Sequence, residues 1–277
     1  MKTSSNKSRT LINLVGFPLI LFIIYQGGIL FTLFFVTVSI LAIHELNKLT
    51  MTKDYSINSF FLYISSILIY FSDSLKDFNK VLEINFFYIL IVLFICIWEI
   101  FRFKRKPLAN VSLTILGLVW IIIFLNKAIF IRDIESGGYE LILCMFLSVW
   151  SCDSAAFYFG SKLGRKKILS KISPNKTWVG SIAGYVASLL IVYLFVYFDV
   201  FNKINYTFDI LDVIVLGTIF GVVGQLGDFF ESMFKREIDV KDSGTILQGH
   251  GGILDRFDSL LFVIPSLYIY IQYFIIN

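Results

Sequence analysis

Charged side chains are scarce in this chain. They make up 16% of its 277 residues, where a soluble domain carries about 25%; that is too few to coat a globule with water-facing groups. Proline is almost missing, with four in the whole length. No Gly/Ser-rich or low-complexity stretch interrupts the chain either, so nothing marks a linker and it reads as one domain over 1–277. No internal repeat is visible, which weighs against a transporter built from inverted repeats. The three cysteines, Cys96, Cys144 and Cys152, are odd in number, lack ligand spacing and lie in apolar stretches. They read as small buried hydrophobes, with no disulfide and no metal.

What fills the sequence is apolar: 57% of residues are hydrophobic and 17% aromatic. Nine apolar runs, at 11–25, 28–43, 57–71, 84–101, 108–130, 139–159, 178–198, 210–227 and 258–276, predict an all-α polytopic transmembrane bundle. Several reach the roughly 20 residues that cross a bilayer core, and the first three are shorter. The first follows a basic front of Lys2, Lys7 and Arg9, but no small-residue cleavage site succeeds it, so it reads as a membrane helix and not a signal peptide. With the N-terminus in the cytoplasm, alternation places nineteen of the 24 Lys and Arg on inner segments and leaves Lys76, Lys80, Lys127, Arg132 and Lys203 outside, as the positive-inside rule requires. This predicts a multi-pass protein of the cell membrane. It also explains the net charge of +4 without nucleic acid, since the cationic excess faces anionic headgroups. Residues 1–131 hold the N-terminal transmembrane helices, and 139–277 form the half that carries the chemistry.

Two inner segments are richer in polar groups than connections need to be. Residues 231–258, preceded by Gly224-Gln225-Leu226-Gly227-Asp228, set Asp228, Glu231, Asp239, Asp242, Asp255 and Asp258 beside Lys235, Arg236, Lys241, His250 and Arg256. If span eight continues as a helix, Asp228, Ser232 and Arg236 recur every four residues, with Glu231 and Lys235 flanking them. Asp255 and Asp258 are three apart at the start of span nine and can point the same way. Hard cations such as Mg²⁺ take carboxylate oxygens together with substrate phosphates, and Lys and Arg offset the charge of a triphosphate. Gly249-His250-Gly251-Gly252 can turn its backbone N–H groups inward as an anion nest. Acids for a metal, bases for phosphate and glycines for close approach together describe a nucleotide site. The second segment, 153–180, contains Asp153 inside span six. Its burial in a bilayer costs about 2.5 kcal/mol or more, so it needs a partner or a polar cavity. The turn Ser173-Pro174-Asn175-Lys176-Thr177-Trp178 follows.

Taken together, Ser232-x-x-Lys235-Arg236, Lys241-Asp242-Ser243-Gly244 and Gly249-His250-Gly251-Gly252-x-x-Asp255-Arg256-x-Asp258 resemble the signature of the phosphatidate cytidylyltransferase family. The aspartate ahead of a Phe-Gly turn in span six and the Ser-Pro-x-Lys-Thr-Trp segment agree with it. These motifs cover the C-terminal half; the N-terminal half is similar only in hydropathy and span count. The resemblance implies a membrane enzyme that uses Mg²⁺, CTP and phosphatidic acid and forms CDP-diacylglycerol and pyrophosphate on the cytoplasmic side. It makes Asp228 and Asp255 the metal ligands, with Asp258, Lys235 and Arg236 completing the catalytic set. To substrate binding it assigns Asp153, Ser173, Lys176, Ser232, Lys241, Asp242, His250, Gly251, Gly252 and Arg256. The chain departs from the family pattern at Asn175, Val179 and Gln248, where the family carries lysine, glutamate and proline. A second cation and a homodimer are compatible with the sequence, which specifies neither.

Each feature also has a plainer reading. Asp255 and Asp258 suit a helix N-terminus through its dipole, and Lys162, Arg165, Lys166 and Lys167 serve as topology anchors. Lys241 and Asp242 suit a surface ion pair. Gly180, Gly184, Gly217, Gly221 and Gly224 let helices pack closely, and Glu45 and Glu99 are expected to snorkel to water from inner helix ends. Rival functions are a transporter, a CTP-dependent enzyme acting on another lipid phosphate, and a degenerate homologue acting as a scaffold. The transporter explains a buried Asp153 but not the concentration of polar groups in the inner loops.

Overall fold

The computed structural model describes residues 15–71, 84–244 and 251–275, and the basic front of Lys2, Lys7 and Arg9 lies outside them, as do Lys76 and Lys80. The described residues form nine helices: α1 Val15–Gln26, α2 Gly28–Met51, α3 Ser59–Phe71, α4 Ile84–Arg102, α5 Pro107–Arg132, α6 Gly138–Leu163, α7 Trp178–Tyr197, α8 Ile210–Glu237 and α9 Leu254–Ile275. No strand occurs among them; a single antiparallel bridge joins Lys167 to Thr177. Six helices (α2 and α5 to α9) are long and apolar enough to cross a membrane, while α1 and α3 are apolar but shorter. The chain is an all-helical, multi-pass membrane protein.

The described connections alternate between two ends of the bundle. At one end, Arg132 on α5 donates to the carbonyls of Ile24 and Tyr25 (2.8 and 3.0 Å), and Lys203 pairs with Glu140 at 2.7 Å. At the other, Lys53 meets Asp239 at 2.7 Å, Lys106 donates to the carbonyl of Lys53 at 2.9 Å, and Arg236 donates to the carbonyl of Ile172 at 3.1 Å. The hydrogen bond and charge of Lys53 hold the exposed Asp239 carboxyl below its ordinary range.

Three helices form the frame of the chemistry. Helix α7 buries Gly180, Gly184, Ser188 and Val192, spaced four apart, and leaves Ile182, Val186, Leu190 and Tyr193 exposed on its other side. A stripe of small residues lets backbones approach where lipid gives helices no hydrophobic reason to associate. The approach is close enough that a Cβ on Gly180 would lie 2.6 Å from the Ala156 carbonyl oxygen of α6, and one on Gly184 would lie 2.8 Å from Cys152 Sγ. Helix α8 packs on the other flank of α7, where a Cβ on Gly221 would come 3.0 Å from Tyr185 Cα.

Gly221 lies within a π-helical turn, Ile219–Val223, in which the Gly224 N–H reaches five residues back to Ile219. Such a turn leaves a carbonyl without its usual partner, and the Gly221 carbonyl accepts from Gln225 Nε2 at 2.6 Å. The same Gln225 accepts from the Ser181 hydroxyl and donates to the Ser181 carbonyl at 3.1 Å. One buried amide therefore ties α7 to α8 a turn ahead of Asp228.

The polar stretch 231–258 is helical at both ends, because α8 runs on to Glu237 and α9 starts at Leu254, so Asp228, Ser232 and Lys235 on one helix and Asp255 and Asp258 on the other have fixed directions. One expectation changes. Glu45 and Glu99 do not snorkel. Glu99 is buried and bound by Arg102 and Asn110, both at 2.8 Å, and Glu45 is 1% exposed with its oxygens on backbone and hydroxyl donors. In both cases a satisfied carboxylate inside the bundle costs less than one dragged to the surface against its helix's packing.

Candidate active site

A cleft of about 600 Å³ opens among the end of α6, the loop after it, the polar half of α8 and the first turns of α9, within the size range of small-molecule sites. Asp153 comes from α6, Lys167 and Lys176 from the loop, Asp228 from α8, and Asp255, Arg256 and Asp258 from α9. Four carboxylates and three cations thus share one cavity, on a floor formed by Gly160, Gly180 and Gln225.

The loop is held by its own backbone. Ile168 N–H donates to the Lys176 carbonyl at 3.2 Å and Trp178 N–H to the Lys166 carbonyl at 3.1 Å, while Ser173 N–H closes onto the Leu169 carbonyl at 2.8 Å. Thr177 in extended conformation caps α7 through its hydroxyl, which accepts from Gly180 N–H at 3.2 Å. A threonine cap of this kind is worth about 1 kcal/mol. This hairpin-like return delivers Lys176 over the cleft, where its ammonium pairs with Asp228 and sits 4.4 Å above the Phe229 ring. Ser173 shapes the turn and is not among the lining residues, whereas Asn175 and Lys167 are.

Along α8 the four-residue stripe is present but divided. Ser232 donates to Asp228 at 3.3 Å. Glu231 and Lys235 turn inward and are buried, with Lys235 Nζ 2.8 Å from Glu231 and 2.6 Å from Asp255. Arg236 leaves the cleft for the carbonyls of Ile172 and Val240, both at 3.1 Å, where it joins the loop after α6 to the end of α8. Lys241 and Asp242 are exposed on the following turn and do not line the cavity.

Asp255 uses both oxygens. Oδ1 takes Lys235, and Oδ2 accepts from Ser243 N–H at 3.0 Å and Gly252 N–H at 2.7 Å. Gly251 has φ +80°, and a Cβ there would stand 2.6 Å from Asp255 Oδ2, so the backbone turn in front of α9 requires glycine twice over. The inward-facing amides expected of an anion nest do exist at Gly252, Ile253 and Leu254, but protein carboxylates fill them: Asp255 the first, Glu45 the other two. Gly249 and His250 lie outside the described residues, as does Gln248.

The remaining carboxylates, Asp153, Asp228 and Asp258, come from three different helices and lie within Coulombic range of one another. Arg256 acts on Asp153 as well. Among the described residues no three acidic, histidine or cysteine side chains surround a common point at ligand distances. Magnesium needs no full protein cage, since one or two carboxylates suffice when substrate phosphates complete the octahedron. The crowded acids of this cleft match that chemistry; Asp228 holds Ser232 and Lys176, and Asp255 holds Lys235, Ser243 and Gly252.

The chain has counterparts along nearly its whole length. The cytidylyltransferase family matches this sequence over residues 7–274. The chain belongs to that family. Proteins named phosphatidate cytidylyltransferase are similar over nearly the whole length: one from Staphylococcus haemolyticus is 34% identical over 265 residues, and one from Staphylococcus aureus 32% over 261. Another, from Staphylococcus epidermidis, is 31% identical over 261 residues. Each alignment covers 94% of this chain and 97% of the relative. The similarity therefore reaches the N-terminal helices, where Glu45 lies and where sequence motifs were silent. Glu45 and Gln225 are among the residues around the site to which motif reading gave no site role. Their only sequence signal is a polar side chain embedded in an apolar helix.

Proposed function

We propose that this protein transfers CMP from CTP to phosphatidic acid, giving CDP-diacylglycerol and pyrophosphate. The observation that carries the reading is the cleft itself, in which Lys176, Arg256 and Lys167 stand among Asp153, Asp228 and Asp258 at one end of a membrane bundle. Membership of the cytidylyltransferase family and the names of the similar staphylococcal proteins support it.

The phosphate of phosphatidic acid is largely dianionic at neutral pH, because the second pKa of a phosphomonoester is about 6. It is already a nucleophile and needs little from a general base. An oxygen of that phosphate forms a bond to the α-phosphorus of CTP, and the bond from that phosphorus to the bridging oxygen of the β-phosphate breaks, so pyrophosphate leaves with the electron pair. The obstacle is repulsion between two polyanions. Lys176 and Arg256 lower it by facing the phosphates, and Phe157, which lines the cleft and is exposed, offers the acyl chains an apolar contact. Mg²⁺, held by Asp228 with Asp258 or Asp255, would supply further charge relief to the triphosphate.

The chain crosses the membrane nine times in this reading, with the N-terminus and the cleft on the cytoplasmic side. The support is the alternation of described connections between two bundle ends and the gathering of sixteen of the nineteen described Lys and Arg on the cleft's side. Purified protein incubated with labelled CTP, Mg²⁺ and a panel of lipid phosphates is expected to yield lipid-linked CMP and pyrophosphate with phosphatidic acid. Product with a different lipid phosphate alone would replace the proposed acceptor.

A further inference from the structure

Helix α9 carries Asp255, Arg256 and Asp258 into the cleft within its first turns, yet its own sequence does not cap it. The N-cap position is Ile253, which has no side-chain oxygen. The cap comes instead from α2. Glu45 Oε1 accepts from Ile253 N–H at 2.8 Å, and Oε2 accepts from Leu254 N–H at 2.9 Å and from the Ser243 hydroxyl at 3.0 Å. A carboxylate at this point meets both the free amides and the positive end of the helix dipole.

The surroundings are built to this carboxylate. A Cβ on Gly244 would lie 2.6 Å from Glu45 Oε1, and one on Gly252 would lie 2.6 Å from Glu45 Cδ. Phe34 and Phe35 of α2 also meet Phe257 of α9, with ring centroids 6.1 and 6.4 Å apart. Ser243 is bound on both sides, its hydroxyl to Glu45 and its N–H to Asp255. Glu45 therefore touches no cleft residue directly, but holds the turn and the helix end from which three of them project.

We infer that Glu45 is a positioning residue of the transfer site: it fixes the start of α9, and with it the placement of Asp255, Arg256 and Asp258. The inference rests on the reading of the cleft as the site of CMP transfer. It links the N-terminal helices, which contribute no described residue to the cleft lining, to the chemistry.

Glu45→Gln keeps the length and one accepting oxygen, and Glu45→Ala removes the cap. Steady-state kinetics with CTP and phosphatidic acid, combined with hydrogen exchange of the intact membrane protein, test the inference. The amides of Ile253 and Leu254 are expected to exchange faster in both variants, with α7 unchanged. The kcat is expected to fall on the order of 10-fold in Glu45→Gln and on the order of 100-fold in Glu45→Ala, while KM for either substrate changes less than kcat. Wild-type exchange at Ile253 and Leu254 overturns the inference, and so does faster exchange there with kcat within about twofold of wild type. Loss of protection throughout the bundle in both variants assigns Glu45 to the fold and overturns it too. A wild-type protein without transfer activity overturns the functional reading instead; the exchange arm still decides whether Glu45 anchors α9.

Discussion

Lys235 of α8 and Asp255 of α9 form a 2.6 Å ion pair at the back of the cleft, and the same ammonium reaches Glu231 at 2.8 Å. Both partners of the ion pair are largely buried. Removing the cation strands two carboxylates, which costs about 3–5 kcal/mol when a buried pair is broken from one side. Lys235→Met is expected to lower the unfolding midpoint of detergent-solubilised protein, and adding Asp255→Asn is expected to return part of the loss. A Lys235→Met protein as stable as wild type would contradict the pairing.

Asp255→Asn alone tests the chemistry more than the fold. Its remaining carbonyl oxygen can still accept from Ser243 and Gly252 N–H, but its amide now faces Lys235. Turnover is expected to drop by about 10² or more in protein that still resides in the membrane. Near-normal CDP-diacylglycerol formation would remove Asp255 from the catalytic set.

Lys176 lies over Asp228 and Phe229, where a triphosphate would compete for it. Lys176→Met removes one charge-assisted contact to phosphate, and a loss of about 1.4 kcal/mol corresponds to a tenfold rise in KM for CTP. KM for phosphatidic acid is expected to move less. An unchanged CTP KM would show that the loop cation does not meet the nucleotide.

Chelation separates metal from scaffold. The ion pairs that join the cleft helices are made by protein groups alone, so EDTA is expected to abolish transfer and leave the thermal midpoint in place, with Mg²⁺ restoring activity. Full activity after exhaustive chelation would eliminate the magnesium proposal.

The close approach of α6 and α7 gives a prediction about stability. Gly180→Ala places a methyl 2.6 Å from the Ala156 carbonyl, and overpacking of this kind typically costs 1–3 kcal/mol. A lowered unfolding midpoint is expected, larger than for Val186→Ala on the exposed side of the same helix. Equal effects would mean that the two helices are not in tight contact.

The chemistry of the cleft was readable before its shape. Asp153, Lys176, Asp228, Asp255, Arg256 and Asp258 stand out as charges in an apolar chain, and the cleft brings all six together. Motif spacing also located Ser232 and Lys235, but not their partners. It could not place Ser173, which shapes a turn, or Arg236, which braces two connections. Glu45 and Gln225 escaped because a lone polar residue in a hydrophobic run looks alike whether it snorkels, caps a distant helix or mends a π turn.

Membrane residence and the helical class follow from the sequence, because hydropathy is a property of short segments. Only the tertiary structure decided which acid answers which donor. Glu45 meets Ile253 across 208 residues, and helices that are apolar all round carry no periodic stripe to show how each is turned. Their rotation is settled by glycine contacts and buried polar bonds between helices, which exist only once the bundle has closed.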